Sequence, residues 1–508
     1  MPVTWSRRVL PALMLAFVCS AAQAQPAPDA AELMSLLKQL AERVEQLEKR
    51  NSELQLELKP SSAMVQPVSP PIEQRVQALE AYRESIESGL SREGVSEKEP
   101  ELTSRLKAVE YTALDIQKQA KVIDSLKGFS AGASFVSVGQ RATGIGSSGT
   151  LLNYRADITV STPTIQTGDM ESKLFGHFRA GQGKGLAEKL TSFVGPNATA
   201  FQLGAVVPPE TSAVLLGQAW YQVDIPLPVG GFRPYSREKI TANFGKMDPF
   251  AFFDQNAAGN DETRQFLASM FVHNALLDNP LAANVGADGF GFSPGMRVSY
   301  LNERSKPERY RASLGVFGAG ESTSFTAPLR SPFVIAQLET EQRFFGLTGN
   351  YRAMLWRNGE APTFVRGVTA QHTGFGLNFD QRVHDAITAF GRLGAARGEG
   401  LPFDATGSVG AEFNGSYWGR GGDAVGIAVN GNRTSIDFRR RSALVDADSN
   451  GVPDFGFAAR GWEKALELYY RFRVHRQFEI SPDIQIISHP AGNTGKVAIF
   501  GLRALLNY

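Results

Sequence analysis

The sequence predicts an all-β transmembrane barrel of about 16 antiparallel strands, preceded by an α-helical coiled-coil region, on three observations. A short apolar stretch of export type opens the chain, the hydrophobic period changes from 3.5 to 2 near Phe129, and the final strand ends on an aromatic residue. Composition agrees. Of 508 residues 42% are hydrophobic and 20% charged, and that charged share lies below the roughly 25% of soluble proteins. Past residue 24 no apolar run reaches the ~20 residues a membrane helix needs, whereas barrel strands alternate and never look very apolar on average. Lys plus Arg (52) balance Asp plus Glu (51), which leaves no bulk field for nucleic acid. One cysteine excludes a disulfide scaffold.

Residues 1–24 read as a signal peptide: Arg7 and Arg8, the apolar Val9–Ser20, then the small-x-small site Ala22-Gln23-Ala24. Cys19 lies inside that segment, and Phe17 and Val18 before it fit a lipidation site poorly. Residues 25–128 read as a periplasmic coiled-coil region. Leu33, Leu40, Leu47 and Leu54 take d positions, and Leu37, Val44, Asn51 and Leu58 take a. A proline-rich linker at 60–71 stops this helix. Ile72, Val76, Leu79, Ile86 and Leu90 continue the stripe, and Leu102, Leu106, Val109, Ile116 and Ile123 resume it. A hairpin folding on itself would bury the same stripe. Its narrowness over so many turns favours a homo-oligomer formed through the coiled coil, of a number the pattern leaves open.

Residues 129–508 read as the barrel domain. At the C-terminus Ala498, Phe500, Leu502, Ala504, Leu506 and Tyr508 share one face, while the other admits Gly501, Arg503 and Asn507. An apolar face opposite one that tolerates arginine suits a strand between lipid and water. Phe500 and Tyr508 give the terminal aromatic pattern of an outer-membrane assembly signal, which implies a barrel-assembly machinery as a partner. Sixteen such runs centre near Val136, Ile158, Phe178, Tyr221, Ala242, Val298, Leu314, Ala336, Asn350, Leu377, Phe390, Gly410, Ile427, Tyr469, Ile484 and Leu502. An even count puts both ends in the periplasm, with short connections after even strands and long ones after odd strands. Glu303–Glu308, His384-Asp385 and His475–Gln477 fit the short set, and Gly181–Ala213, Asp248–Ser293 and Asn432–Trp462 the long set. Pro226–Arg237 is untidy. A barrel of this size is expected to enclose water, not a packed core.

At this point the barrel resembles the carbohydrate-selective (OprB-type) outer-membrane porins. The resemblance rests on FRAGQGKGL (Phe178–Leu186), AWYQVDI (Ala219–Ile225), the long run Ile240–Leu267, GFGLNFDQ (Gly374–Gln381), GRGGDAVGIAV (Gly419–Val429), LELYYRFRV (Leu466–Val474), SPDIQIISHPAGN (Ser481–Asn493) and the closing GLRALLNY, in that order. It implies passive diffusion of small sugars across the outer membrane of a Gram-negative bacterium. The N-terminal extension is an addition that the bare barrel does not require.

A sugar passage needs paired donors and acceptors with aromatic faces beside them. Alternation points Arg155 and Asp157 inward, then Lys173, His177 and Arg179, then Gln218, Trp220, Gln222 and Asp224, and later Glu467, Arg471, Arg473 and Arg503. The connection Asp248–Ser293 carries Asp254, Asp261, Glu262 and Arg264, and its length favours folding back into the barrel. No catalytic residue is expected. Gly291-Phe292-Ser293-Pro294-Gly295 matches a nucleophile-elbow spacing, but Pro294 lacks the N–H that elbow uses, so it reads as a turn. No resident cofactor is expected; Asp446, Asp448, Asn450 and Asp454 open like a calcium loop whose twelfth position is Phe457, leaving only a structural-calcium candidate. Two other functions compete. Arg155, Arg179, Arg471, Arg473 and Arg503 suit an anion or phosphate channel, although from Phe129 onward 36 basic residues face 33 acidic ones. A tether from the outer-membrane lipid to peptidoglycan, with the pore incidental, would use the helical arm.

Overall fold

The computed structural model describes residues 128–508 apart from 145–149, 202–211, 229–235, 280, 283–290, 321–324 and 326. The signal peptide, the coiled-coil positions and the 60–71 linker lie outside the described residues. Sixteen long strands follow in chain order: β1 (Ser130–Thr143), β2 (Thr150–Ser161), β3 (Met170–Gln182), β4 (Ala213–Leu227), β5 (Glu238–Met247), β6 (Ser293–Asn302), β7 (Arg309–Phe317) and β8 (Phe333–Phe344). The second half holds β9 (Leu347–Pro362), β10 (Thr369–His384), β11 (Ile387–Arg397), β12 (Phe403–Asn414), β13 (Ala424–Thr434), β14 (Trp462–His475), β15 (Phe478–Ser488) and β16 (Lys496–Asn507). The three-residue Ile165–Thr167 adds only a short ribbon to the turn before β3. All sixteen expected centres fall inside these strands.

Each strand pairs antiparallel with its chain neighbours, and β1 also pairs with β16, from Ser134 opposite Asn507 to Thr143 opposite Ala498. Closure removes the edges whose unpaired N–H and C=O groups lipid could not satisfy. The alternation explains the faces. On β16 Phe500 and Leu502 are 53% and 55% exposed, whereas Ile499, Arg503 and Leu505, at the alternate positions, are buried. Such apolar exposure is stable only against lipid.

Short connections gather at one rim, including 345–346, 385–386 and 476–477, and the long connections 183–212, 248–292 and 435–461 at the other. Ser293 opens β6, and its hydroxyl donates to Gly318 O.

The expectation of a purely water-filled interior is corrected. The described parts of connections 183–212 and 248–292 turn inward and bring Leu186, Leu190, Phe193 and Val194, and Phe250, Phe253, Phe266 and Phe271, into one apolar cluster with wall residues. Phe266 lies 5.5 Å from Phe390 of β11 and 5.0 Å from Tyr469 of β14, and Phe193 lies 4.9 Å from Phe403 of β12. Where these strands meet a loop, their inward face combines apolar side chains that pack it with buried polar ones that bond to it. That combination is the physical reason for the packed interior.

Candidate functional site

Residues 254–268 of the connection 248–292 lie along the inner wall, held in turn by different strands. At its start Asp254 accepts from Arg392 of β11 at 3.1 Å and from Asn378 of β10 at 2.6 Å, while its N–H donates to Gln337 of β8 at 2.9 Å. Farther on, Glu262 accepts from Arg155 of β2 at 2.8 Å, and Arg264 donates to Glu479 of β15 through Nη2 at 2.7 Å and Nε at 3.2 Å. Arg503 of β16 donates to the carbonyls of Glu262 and Gln265 at 2.8 and 2.7 Å. Then Glu467 of β14 accepts the N–H groups of Leu267 and Ala268. In a closed ring of sixteen strands β8 lies directly across from β16. The loop therefore reaches both sides of the interior and narrows it.

Glu463, four residues before Glu467 and on the same face of β14, does the same for the other loop, accepting from the Ser192 hydroxyl at 2.6 Å and the Phe193 N–H at 2.8 Å. Gln140 of β1 and Gln485 of β15 both donate to Pro196 O at 2.9 Å. Buried carboxylates and amides are thus matched to loop N–H and C=O groups that would otherwise be unsatisfied.

Three expected lining residues are corrected by this geometry. Asp254 and Glu467 are 0% exposed and Arg503 1%. They point inward, but the loop covers them, so they brace it and do not face the passage.

The remaining inward charges are engaged by neighbouring polar or charged groups. Asp157 accepts from Arg155 at 2.8 Å, from Arg179 at 2.6 Å and from His177 at 2.7 Å. Asp224 accepts from Gln222 at 3.0 Å and has Lys239 at 3.6 Å, while Lys173 stands opposite Gln222 in register. Arg471 lies 3.8 Å from Glu412, and Arg473 3.9 Å from Glu479. Asp261 turns back on its own loop, accepting from the Thr263 N–H and hydroxyl. Trp220 faces inward, its Nε1 donating to Gln218 at 3.1 Å, its rings 4.7 Å from Phe175 and 5.6 Å from the half-buried Phe252.

A second array was missed from the sequence. Arg352 of β9 bridges Glu339 of β8 at 3.2 Å and Asp380 of β10 at 2.7 Å, Arg311 of β7 reaches Glu339 at 3.6 Å, and Arg309 reaches Glu341 at 2.6 Å. Arg297 of β6 lies 5.2 Å over the Phe252 ring and donates to Asn243 at 3.1 Å. The same alternation that marked β2–β4 would have found these residues in β6–β10.

Asp446, Asp448, Asn450 and Asp454 occupy the connection 435–461 at the long-connection rim, where the Asp446 carboxylate accepts the N–H groups of Asn450 and Gly451. Among the described residues no three His, Cys, Asp or Glu side chains converge as a metal site. Tyr508 exchanges backbone hydrogen bonds with Ala133 at the junction of β1 and β16.

Residues 252–508 match the model of the OprB family of carbohydrate-selective porins. A porin of Chlamydia pneumoniae, AaxA, is 24% identical over 161 residues, a match spanning 31% of this chain and 33% of that protein. The high-pH structure of Pseudomonas putida OprB is 16% identical, with a TM-score of 0.60 over 77% of this chain and 96% of that one. The low-pH structure of the same protein is 13% identical, with a TM-score of 0.45 over 77% and 95%. A closed antiparallel barrel of porin type sits in the outer membrane and points to a channel, not an enzyme. With sixteen strands closing on an inward-folded loop, and with the family match covering half its length, the chain belongs to the OprB family of carbohydrate-selective porins.

Proposed function

We propose that this porin carries small sugars by passive, saturable diffusion into the periplasm. The observation that supports this reading is the pairing of charge along the passage. Arg155 and Arg179 share Asp157, Arg264 has Glu479, Arg309 has Glu341, and Arg311 and Arg352 share Glu339. Such arrays offer many donors and acceptors with little net field, and a sugar hydroxyl both donates and accepts. Phe175 and Phe252, with Trp220 behind them, supply the apolar faces against which a sugar ring slides.

One observation favours an anion or phosphate passage instead. Nε of Arg297 has no hydrogen-bond partner among the described residues, and its guanidinium lies over Phe252 beside the passage. Titrating glucose, maltose and phosphate against single-channel current in planar bilayers separates the two. The sugar reading expects saturable block by a sugar with weak ion selectivity. Block by phosphate with strong anion selectivity would replace it with the arginine reading. The N-terminal region is kept as a periplasmic arm that joins copies and contacts peptidoglycan, supported by its 3.5-residue period alone.

A further inference from the structure

Among the described strand residues, the outward-facing cations all lie at one rim. Arg141 (β1), Lys246 (β5), Arg357 (β9), Arg397 (β11), Arg433 (β13), Lys464 (β14) and Lys496 (β16) all alternate with inward residues, and each sits toward the strand end at the rim that carries 183–212, 248–292 and 435–461. At the other rim the outward face is aromatic, with Tyr310, Phe344, Phe472 and Tyr508 exposed, and Glu238 there is engaged by Tyr300 and Arg304. A lysine or arginine on the lipid face costs about 2–4 kcal/mol at the bilayer midplane and little near either interface. Depth alone would therefore admit cations at both rims. Their restriction to one calls for an anionic partner there.

The densest part lies on β13–β16. Lys464 stands opposite Ser488 of β15, and Ser488 stands opposite Lys496 of β16, so the three form a row across neighbouring strands. Two strand spacings separate the lysines, about 10 Å. Arg433 adjoins them on β13, opposite Trp462, which is 44% exposed. Lys464 and Lys496 are exposed and have no ion-pair partner among the described residues; Arg433 holds Asp404 at 2.7 Å. Toward the middle of the membrane the same strands expose Leu468, Ile484, Phe500 and Leu502. A cationic row above an apolar wall fits a molecule with phosphates above acyl chains.

We propose that Lys464, Ser488 and Lys496, with Arg433 beside them, bind the phosphate groups of a phosphorylated glycolipid in the leaflet at the long-connection rim. The site is independent of what the passage carries.

The test uses the full chain purified in detergent and native mass spectrometry, titrated with bisphosphorylated lipid A and with the same lipid stripped of its phosphates. The wild type should retain the phosphorylated lipid, and the Lys464→Ser/Lys496→Ser double variant should lose about tenfold or more in apparent affinity, as expected for two surface cations. Lys464→Arg/Lys496→Arg should retain it, and Arg304→Ser at the other rim should change nothing. Heat-modifiable gel mobility and unchanged single-channel conductance report that each variant is folded. Equal retention of the stripped lipid, or an undiminished double serine variant, would overturn the proposal. Displacement by equimolar inorganic phosphate would also overturn it, by reducing the site to a simple anion site.

Discussion

Asp157 takes hydrogen bonds from three side chains on two strands, and its negative charge keeps Arg155 and Arg179 side by side. Asparagine would keep the shape and remove the charge, leaving two guanidiniums to repel one another. Asp157→Asn should weaken sugar block about tenfold, the scale of one charge-assisted hydrogen bond of roughly 1.5 kcal/mol. The same variant should shift the reversal potential toward anions, and a sugar titration under a KCl gradient reads both. Asp423, in the turn before β13, gives a pH prediction. Burial raises its carboxyl, but donors from Arg420 at 2.6 Å and Tyr470, with the Arg473 N–H at 3.0 Å, outweigh burial and hold it below the usual carboxylate range. A carboxylate depressed in the folded state stabilises above its unfolded pKa of about 3.9, and that stability is lost as pH falls through the folded value. Asp423→Asn should therefore lower the denaturant midpoint at neutral pH. The gap to wild type should close progressively below about pH 4, and an equal gap at every pH would remove the carboxylate from the account.

The inward loop 248–292 is an element held by side chains the barrel wall lends to it. Glu467→Ala removes the acceptor for two backbone N–H groups, at a local cost of about 3 kcal/mol for two buried donors left without a partner. The stretch 267–268 should then detach from β14 while the ladder stays paired. Single-channel recording should show a larger and noisier conductance with unchanged heat-modifiable mobility, whereas an unchanged trace would mean that Arg503 and Arg264 suffice. Glu463→Ala is the matched comparison, since it releases the loop 183–212 instead. The strands were legible because lipid favours apolar side chains at alternate positions through the middle of the membrane, which made every centre from Val136 to Leu502 readable. The bracing roles of Asp254, Glu467 and Arg503 were not. Alternation says which way a strand residue points, and only docking of a loop distant in sequence says what lies on top of it. The buried aromatics of 248–292 carried no period because a loop packed on several strands has none to show.

At the scale of the whole molecule, closure decides what the barrel requires. β1 begins at Ser130 and pairs with β16, so the hydrogen-bond ladder is complete within Ser130–Asn507. Both inward loops are anchored by strands of the same ring, Glu463 and Glu467 on β14, Arg503 on β16 and Arg155 on β2. None of these bonds draws on residues 30–127, whose 3.5-residue period suits association between copies. Deleting residues 30–127 should leave conductance per pore and sugar block within error of the full chain, and should lower the oligomer number seen by light scattering. Envelope integrity under osmotic or detergent stress is the second readout. If the deletion spares conductance and costs integrity, the arm tethers the membrane as well as joining copies. If conductance itself falls, the arm takes part in the passage, and a barrel that supplies all of its own loop anchors would no longer be a sufficient account of the channel.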